Sequence, residues 1–262
     1  MQSKKGTPKM NLQQKKDNSF LATEPLGRLL LKLSLPTVTA QVINMLYNIV
    51  DRIYIGHIPE TGALALTGVG VCMPLIMIVS AFAALVGNGG APRASIFMGK
   101  GDKESAEQTL GNCFTTQIVV SLLLTLILFT GNKSFLMAFG ASENTIPYAV
   151  AYMNIYSLGT IFVQLTLGMN AFITAQGFAK TSMLTTVIGA VINIILDPIL
   201  IFGFGLGVRG AAIATVLSQA VGAAWIIRFS PAKRPSCACA ETTCARKSRS
   251  FCRCWRWASP RL

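Results

Sequence analysis

Between Leu33 and Arg228 apolar residues run in long blocks, separated by short polar turns. A helix crossing a hydrocarbon core near 30 Å thick needs roughly 20 mostly apolar residues, because each residue adds only about 1.5 Å. Six blocks reach that length, and the pattern predicts spans over residues 33–56, 64–88, 112–131, 148–174, 181–203 and 210–228. The stretches 61–92, 108–132 and 144–179 contain no Asp, Glu, Lys or Arg. A soluble protein built from helices apolar all round would need polar-faced helices to cover them, and the sequence offers none. The expected fold is therefore an all-α membrane protein, a bundle of six transmembrane helices in the bilayer.

The net charge of +13 raises nucleic acid as a partner until its placement is considered. Residues 1–32 carry 7 basic and 2 acidic groups, residues 33–230 carry 8 and 7, and residues 231–262 carry 8 and 1. Basic flanks around an apolar body are what cytoplasmic termini look like, since Lys and Arg resist translocation. Nucleic-acid binding is thereby disfavoured. The expectation is a multi-pass protein of the cell membrane with a cytoplasmic N-terminus, in which Arg93, Lys100 and Lys103 share one cytoplasmic loop, Lys180 lies in the next, and His57, Lys133 and Arg209 face outward. Residues 1–25 hold Lys4, Lys5, Lys9, Lys15 and Lys16 without the apolar core of a signal peptide, so they read as a basic cytoplasmic tail and the first span directs insertion.

Turn chemistry refines this picture. Asp102 is placed to cap the third helix, with Glu104 and Glu107 favouring its positive end, so that helix is expected to start before it enters lipid. Gly87-Asn88-Gly89-Gly90 and the glycine-rich run from Gly203 to Gly210 lack the strand of a phosphate-binding βαβ unit and are expected to be turns or helix ends. Pro36, Pro74, Gly159, Gly168, Gly189 and Pro198 fall inside spans, where small residues permit close contact and proline frees a carbonyl.

Asp51 and Asp197 are the two acidic residues within the predicted spans. A charged Asp at a helix centre costs about 2.5–3.5 kcal/mol on insertion scales, so each must face a cavity or a partner. For Asp51, next to Arg52 near a span end, an interfacial ion pair and a proton or cation site are both open. Asn193 and Asp197 stand four apart on one helical face, and Pro198 removes the amide that would pair with the Ile194 carbonyl. Carboxylate, amide and backbone oxygens within one turn are hard ligands suited to a proton or small cation. A hydrogen-bonded packing knot is the competing reading. Asn170 either completes such a site or makes an interhelical hydrogen bond. No catalytic set forms around His57, the only histidine, and no metal-ligand spacing is present, so neither an enzyme nor a resident cofactor is expected.

Several segments taken together resemble a known family: Pro36, the run from Leu46 through Asp51 to His57, Met98 to Asp102, Ala175-Gln176-Gly177, and Asn193 through Asp197 to Gly203. Over residues 26–230 the chain is similar to the multidrug and toxic compound extrusion (MATE) transporters, especially their MepA-type branch. The resemblance implies a twelve-helix antiporter of two six-helix lobes, exporting cationic amphipathic small molecules in exchange for H⁺ or Na⁺. It places Asp51, Asn170, Asn193 and Asp197 at the cation-binding groups of the N-terminal lobe, and Pro36 at a proline whose bending couples ion binding to release. Only one lobe is represented. A second lobe, or pairing of two copies, would be needed to form the cleft; a non-transporting fragment and a lipid or polysaccharide flippase are the alternatives.

After Ser230 the composition shifts abruptly to Cys, Arg, Ser, Pro and Trp, and five of the 7 cysteines lie there. The C-x-C pairs lack zinc spacing, and disulfides suit a reducing cytoplasm poorly. Residues 231–262 are expected to be disordered, as an out-of-frame continuation would be.

Overall fold

A computed structural model describes residues 25–229. The expectations for residues 1–24 and for the 231–262 tail fall outside the described residues.

Six helices follow one another: α1 (Leu26–Gly56), α2 (Gly62–Gly99), α3 (Lys103–Ala138), α4 (Ile146–Ala175), α5 (Ala179–Pro198) and α6 (Val208–Phe229). A π-helical turn, Ile199–Gly203, continues α5. No strand occurs among the described residues, as lipid requires of a chain that must satisfy its backbone within each segment. Five of the helices, α2 to α6, are long and apolar enough to span a bilayer. α1 has the length, at 31 residues, but Thr37, Thr39, Gln41, Asn44 and Asn48 punctuate its apolar run.

Each predicted span lies inside one of these helices, and most are extended at their ends. The largest differences are in α2 and α3. The Gly87–Gly90 string is neither a turn nor a helix end: α2 runs on through Pro92 to Gly99. Arg93 therefore sits on a helix rather than in a loop, its guanidinium 5.8 Å from the centre of the Phe97 ring. Lys133 likewise lies within α3. Helices of 38 and 36 residues exceed what a bilayer requires.

The glycines expected at turns are used instead for close crossing. A side chain at Gly87 would strike the backbone of Gly168, one at Gly90 would strike Cys113 and Phe172, and one at Gly168 would strike the amide of Gln117. α2, α3 and α4 thus meet where their backbones are bare. Buried amides reinforce the contact: Gln117 Nε2 donates to the Ala83 carbonyl at 3.3 Å and Gln164 Nε2 to the Val79 carbonyl at 2.9 Å. Asn132 of α3 donates to Asn154 of α4 at 2.8 Å. In lipid, such bonds hold helices together where apolar surface offers no preference.

α4 is the central element, packed against α2, α3, α5 and α6, while α1 leans chiefly on α5. Two interhelix turns show why glycine is needed. At Gly101 and Gly177 φ is +78° and +88°, and the following amides, Asp102 and Phe178, close back on the carbonyls of Phe97 and Ile173 at 3.0 and 3.2 Å. This is the left-handed helix stop that a side chain disfavours. Asp102 then caps α3: its carboxylate accepts from the Ser105 amide at 3.1 Å and the Ser105 hydroxyl at 2.6 Å. These bonds hold the Asp102 carboxyl below the usual carboxylate range.

Candidate functional site

Because α1 packs on α5 and the two run in the same direction, the end of α1 near Gly56 lies beside the end of α5, where the Tyr54 and Phe202 rings meet edge to face. That placement brings Asp51 and Asp197 face to face, their carboxyl groups within hydrogen-bonding reach of each other. Asp197 is 0% exposed, Asn193 1% and Asp51 8%. Asn193 Nδ2 donates to Asp197 Oδ1 at 3.4 Å, as their four-residue spacing requires. Arg52 is half-buried on another side of α1, so the interfacial ion pair with Asp51 is not formed.

Three buried oxygens in this cluster, Asp51 Oδ1, Asn193 Oδ1 and Asp197 Oδ2, have no hydrogen-bond partner. Leaving buried acceptors unpaired costs about 1–3 kcal/mol each, and two facing carboxylates repel in a low dielectric. A proton held between them, or a small cation bound by the free oxygens, relieves both penalties. The donor set suits either ion. Among the described residues no cluster of three or more His, Cys, Asp or Glu could hold a metal.

Three tyrosines and a threonine that sequence reasoning missed complete the surroundings. Tyr152 of α4 is buried, senses the charge of Asp51, and lies close to the Thr215 side chain of α6. Tyr156, one turn on, stacks on Tyr152 with ring centres 6.2 Å apart. Tyr47 of α1 lies in the field of both Asp51 and Asp197. The available signal was positional: Tyr152 and Tyr156 share one face of a span without charge, and Tyr47 precedes Asp51 by four.

Asn170 lies elsewhere. Its Nδ2 donates to the Ser182 carbonyl at 3.5 Å, and Ser182 is 11 residues before Asn193 on α5, about 16 Å along the helix. Asn170 instead lines a cavity of about 490 Å³ toward the other end of the bundle. α1 contributes Gln41, Asn44 and Tyr47 to its wall, α5 contributes Ser182 and Thr186, and α6 contributes Gln219. None of the described residues lining it is charged. The Asn170 Oδ1 and Gln219 Oε1 atoms are buried without partners, and Pro92 deprives the Asn88 carbonyl of its helical amide. Tyr47 belongs to both places, lining the cavity and lying within the field of the carboxyl pair. Pro36 is buried in α1, 15 residues or about 22 Å before Asp51. Pro198 directly follows Asp197 and opens the π-helical turn.

Comparison with known proteins agrees with this architecture. Residues 36–199 match the model of the MatE family. The chain belongs to that family. Among MatE relatives, the FAD transporter of Shewanella oneidensis is 27% identical over 219 residues, covering 82% of this chain and 46% of its own length. The multidrug export protein MepA of Staphylococcus haemolyticus is 30% identical over 212 residues, covering 80% and 46%. A crystal structure of MATE in the bent conformation superposes with a TM-score of 0.76 at 28% identity, covering 84% of this chain and 48% of that one. An outward-facing multidrug resistance MATE transporter gives 0.73 at 28% identity, covering 79% and 45%. This MatE chain, a multi-pass membrane protein, therefore spans about half the length of the relatives it matches.

Proposed function

We propose that the chain forms the ion-coupling half of an antiporter that exports cationic, amphipathic small molecules across the cell membrane in exchange for H⁺ or Na⁺. Its N-terminus is cytoplasmic in this reading. The other wall of the cleft comes from a further six-helix lobe or from a second copy of the chain. The observation that carries it is the joining of a buried carboxyl pair to a polar cavity through Tyr47. When Asp51 and Asp197 take up a proton or cation, their repulsion ends and α1 can settle differently on α5. Tyr47 and Asn44, on the same helix, then move in the cavity wall. Ion and cargo are coupled because one helix carries both contacts, and a coupling of a few kcal/mol is enough to shift the balance of two states.

An uncharged wall of amides and hydroxyls suits an organic cation, whose positive charge meets carbonyl oxygens such as Asn170 Oδ1. It offers no Lys or Arg to a phosphate-bearing cargo, such as the flavin dinucleotide of one relative's name or the headgroup of a flipped lipid. Vesicles holding the chain should extrude ethidium when either a proton or a sodium gradient is imposed. Asp197→Asn should abolish the gradient-dependent part. Efflux that persists undiminished in Asp197→Asn would remove the carboxyl pair from the mechanism, and no efflux under either gradient would favour an inactive fragment.

A further inference from the structure

At the turn between α1 and α2 a second groove, about 340 Å³, opens on the outside of the bundle, lined by Ile49, Arg52, Ile53, Gly56, His57 and Leu66. Leu66 of α2 lies over Gly56 and closes the floor between the two helices. Ile49 and Ile53 are 46% and 51% exposed, so the groove presents apolar side chains to the surroundings of the bundle. Two polar groups interrupt it. Arg52 makes no hydrogen bond or ion pair within the described residues, and its electrostatic neighbour is Asp51. A guanidinium carries five donors in a planar fork that fits phosphate oxygens, and near a span end those donors, unpaired within the described residues, call for acceptors from outside this bundle.

His57 adds a direction. Its Nδ1 lies 2.7 Å from the Ile53 carbonyl. A carbonyl only accepts, so Nδ1 carries the proton and Nε2 of the neutral ring is an acceptor. The groove thus presents, in sequence, an anion-binding fork, a hydrogen-bond acceptor and an apolar channel at a helix end where a span meets the membrane surface.

We propose that this groove binds an anionic phospholipid with a hydroxyl-bearing headgroup, of the phosphatidylglycerol kind. Its phosphate pairs with Arg52, a headgroup hydroxyl donates to His57 Nε2, and an acyl chain lies along Ile49, Ile53 and Leu66. The bound headgroup sits one residue from Asp51, close enough for its charge to be felt at the carboxyl pair. The proposal stands apart from transport, and its test needs none.

The full chain, purified in detergent, would be titrated with phosphatidylglycerol, phosphatidylcholine or glycerol 3-phosphate while thermal unfolding is followed. Phosphatidylglycerol should raise the unfolding temperature at least tenfold more potently than phosphatidylcholine, and glycerol 3-phosphate should do nothing. Arg52→Gln should erase the difference between the lipids, and Arg52→Lys should retain part of it. Equal action of the two lipids on the unaltered chain overturns the site, whether or not the variants fold. So does a preference that survives Arg52→Gln, and stabilisation by glycerol 3-phosphate alone would mean the apolar channel plays no part.

Discussion

Asn193 makes one hydrogen bond and leaves one oxygen free, and both matter. Its Nδ2 orients the Asp197 carboxyl, while its Oδ1 is an unpaired acceptor in the same cluster. A hydrogen bond to a charged group contributes about 1.5–3 kcal/mol. Asn193→Ala should therefore weaken the response to the coupling ion by about tenfold or more, read as the gradient needed for half-maximal efflux. Tyr47→Phe keeps the ring in the cavity wall and removes the hydroxyl that lies in the field of the carboxyls; it should leave ethidium binding intact while lowering gradient-driven efflux. Outside the bilayer, Asp102 gives a pH prediction. Its folded carboxyl titrates below the ordinary range, so its cap is in force throughout neutral pH and is lost as pH falls through that lowered value. Hydrogen exchange at the Ser105 amide should be slow near pH 7 and speed up in acid beyond the intrinsic trend, and Asp102→Ala should remove the protection at every pH. Asp102, Asn193 and Asp197 were legible because capping and the i, i+4 relation are local. Tyr152 and Thr215 were not, since they come from α4 and α6, and neither helix announces which face it turns toward Asp51.

The helices themselves were readable as lengths of apolar sequence, but not their true ends. α2 and α3 extend past the hydrocarbon requirement because backbone hydrogen bonding continues for as long as nothing stops it, and the stop comes at Gly101 for one and at Gly140, with φ +97°, for the other. Gly87 to Gly90 misled for a related reason. Glycine marks a turn when φ must be positive, but in a packed helix it marks a bare surface, and only the neighbouring helix distinguishes the two. Gly168 tests this. A methyl group there meets the Gln117 amide, and Gln117 cannot withdraw without breaking its bond to the Ala83 carbonyl. Gly168→Ala should destabilise the bundle by about 1–3 kcal/mol, seen as a lower unfolding temperature, with partial recovery when combined with Gln117→Ala. Along α5 the missing amide of Pro198 was foreseeable, whereas the π-helical turn after it depends on how the chain re-forms its bonds, with the Phe204 amide reaching the Ile199 carbonyl at 2.9 Å.

Taken whole, the bundle divides into an acidic end and a neutral cavity, and α1 runs past both. Cysteine labelling should find substitutions at Thr186 and Gln41 protected by ethidium, and a substitution at Phe204 unaffected, since Phe204 lies in the far loop, 71% exposed. Apolar run length and the exclusion of charge from lipid were enough to fix a helical membrane bundle and to single out Asp51 and Asp197, because the cost of a bare charge in hydrocarbon is a property of the residue and its surroundings in sequence. Pairing was different. That Asp51 faces Asp197, that Asn170 serves the cavity instead of the carboxyls, and that Tyr152 and Thr215 close the cluster were decided by which helix lies against which. Those contacts join residues up to about 150 positions apart, and a 3.6-residue period fixes the faces of one helix without fixing its rotation against another.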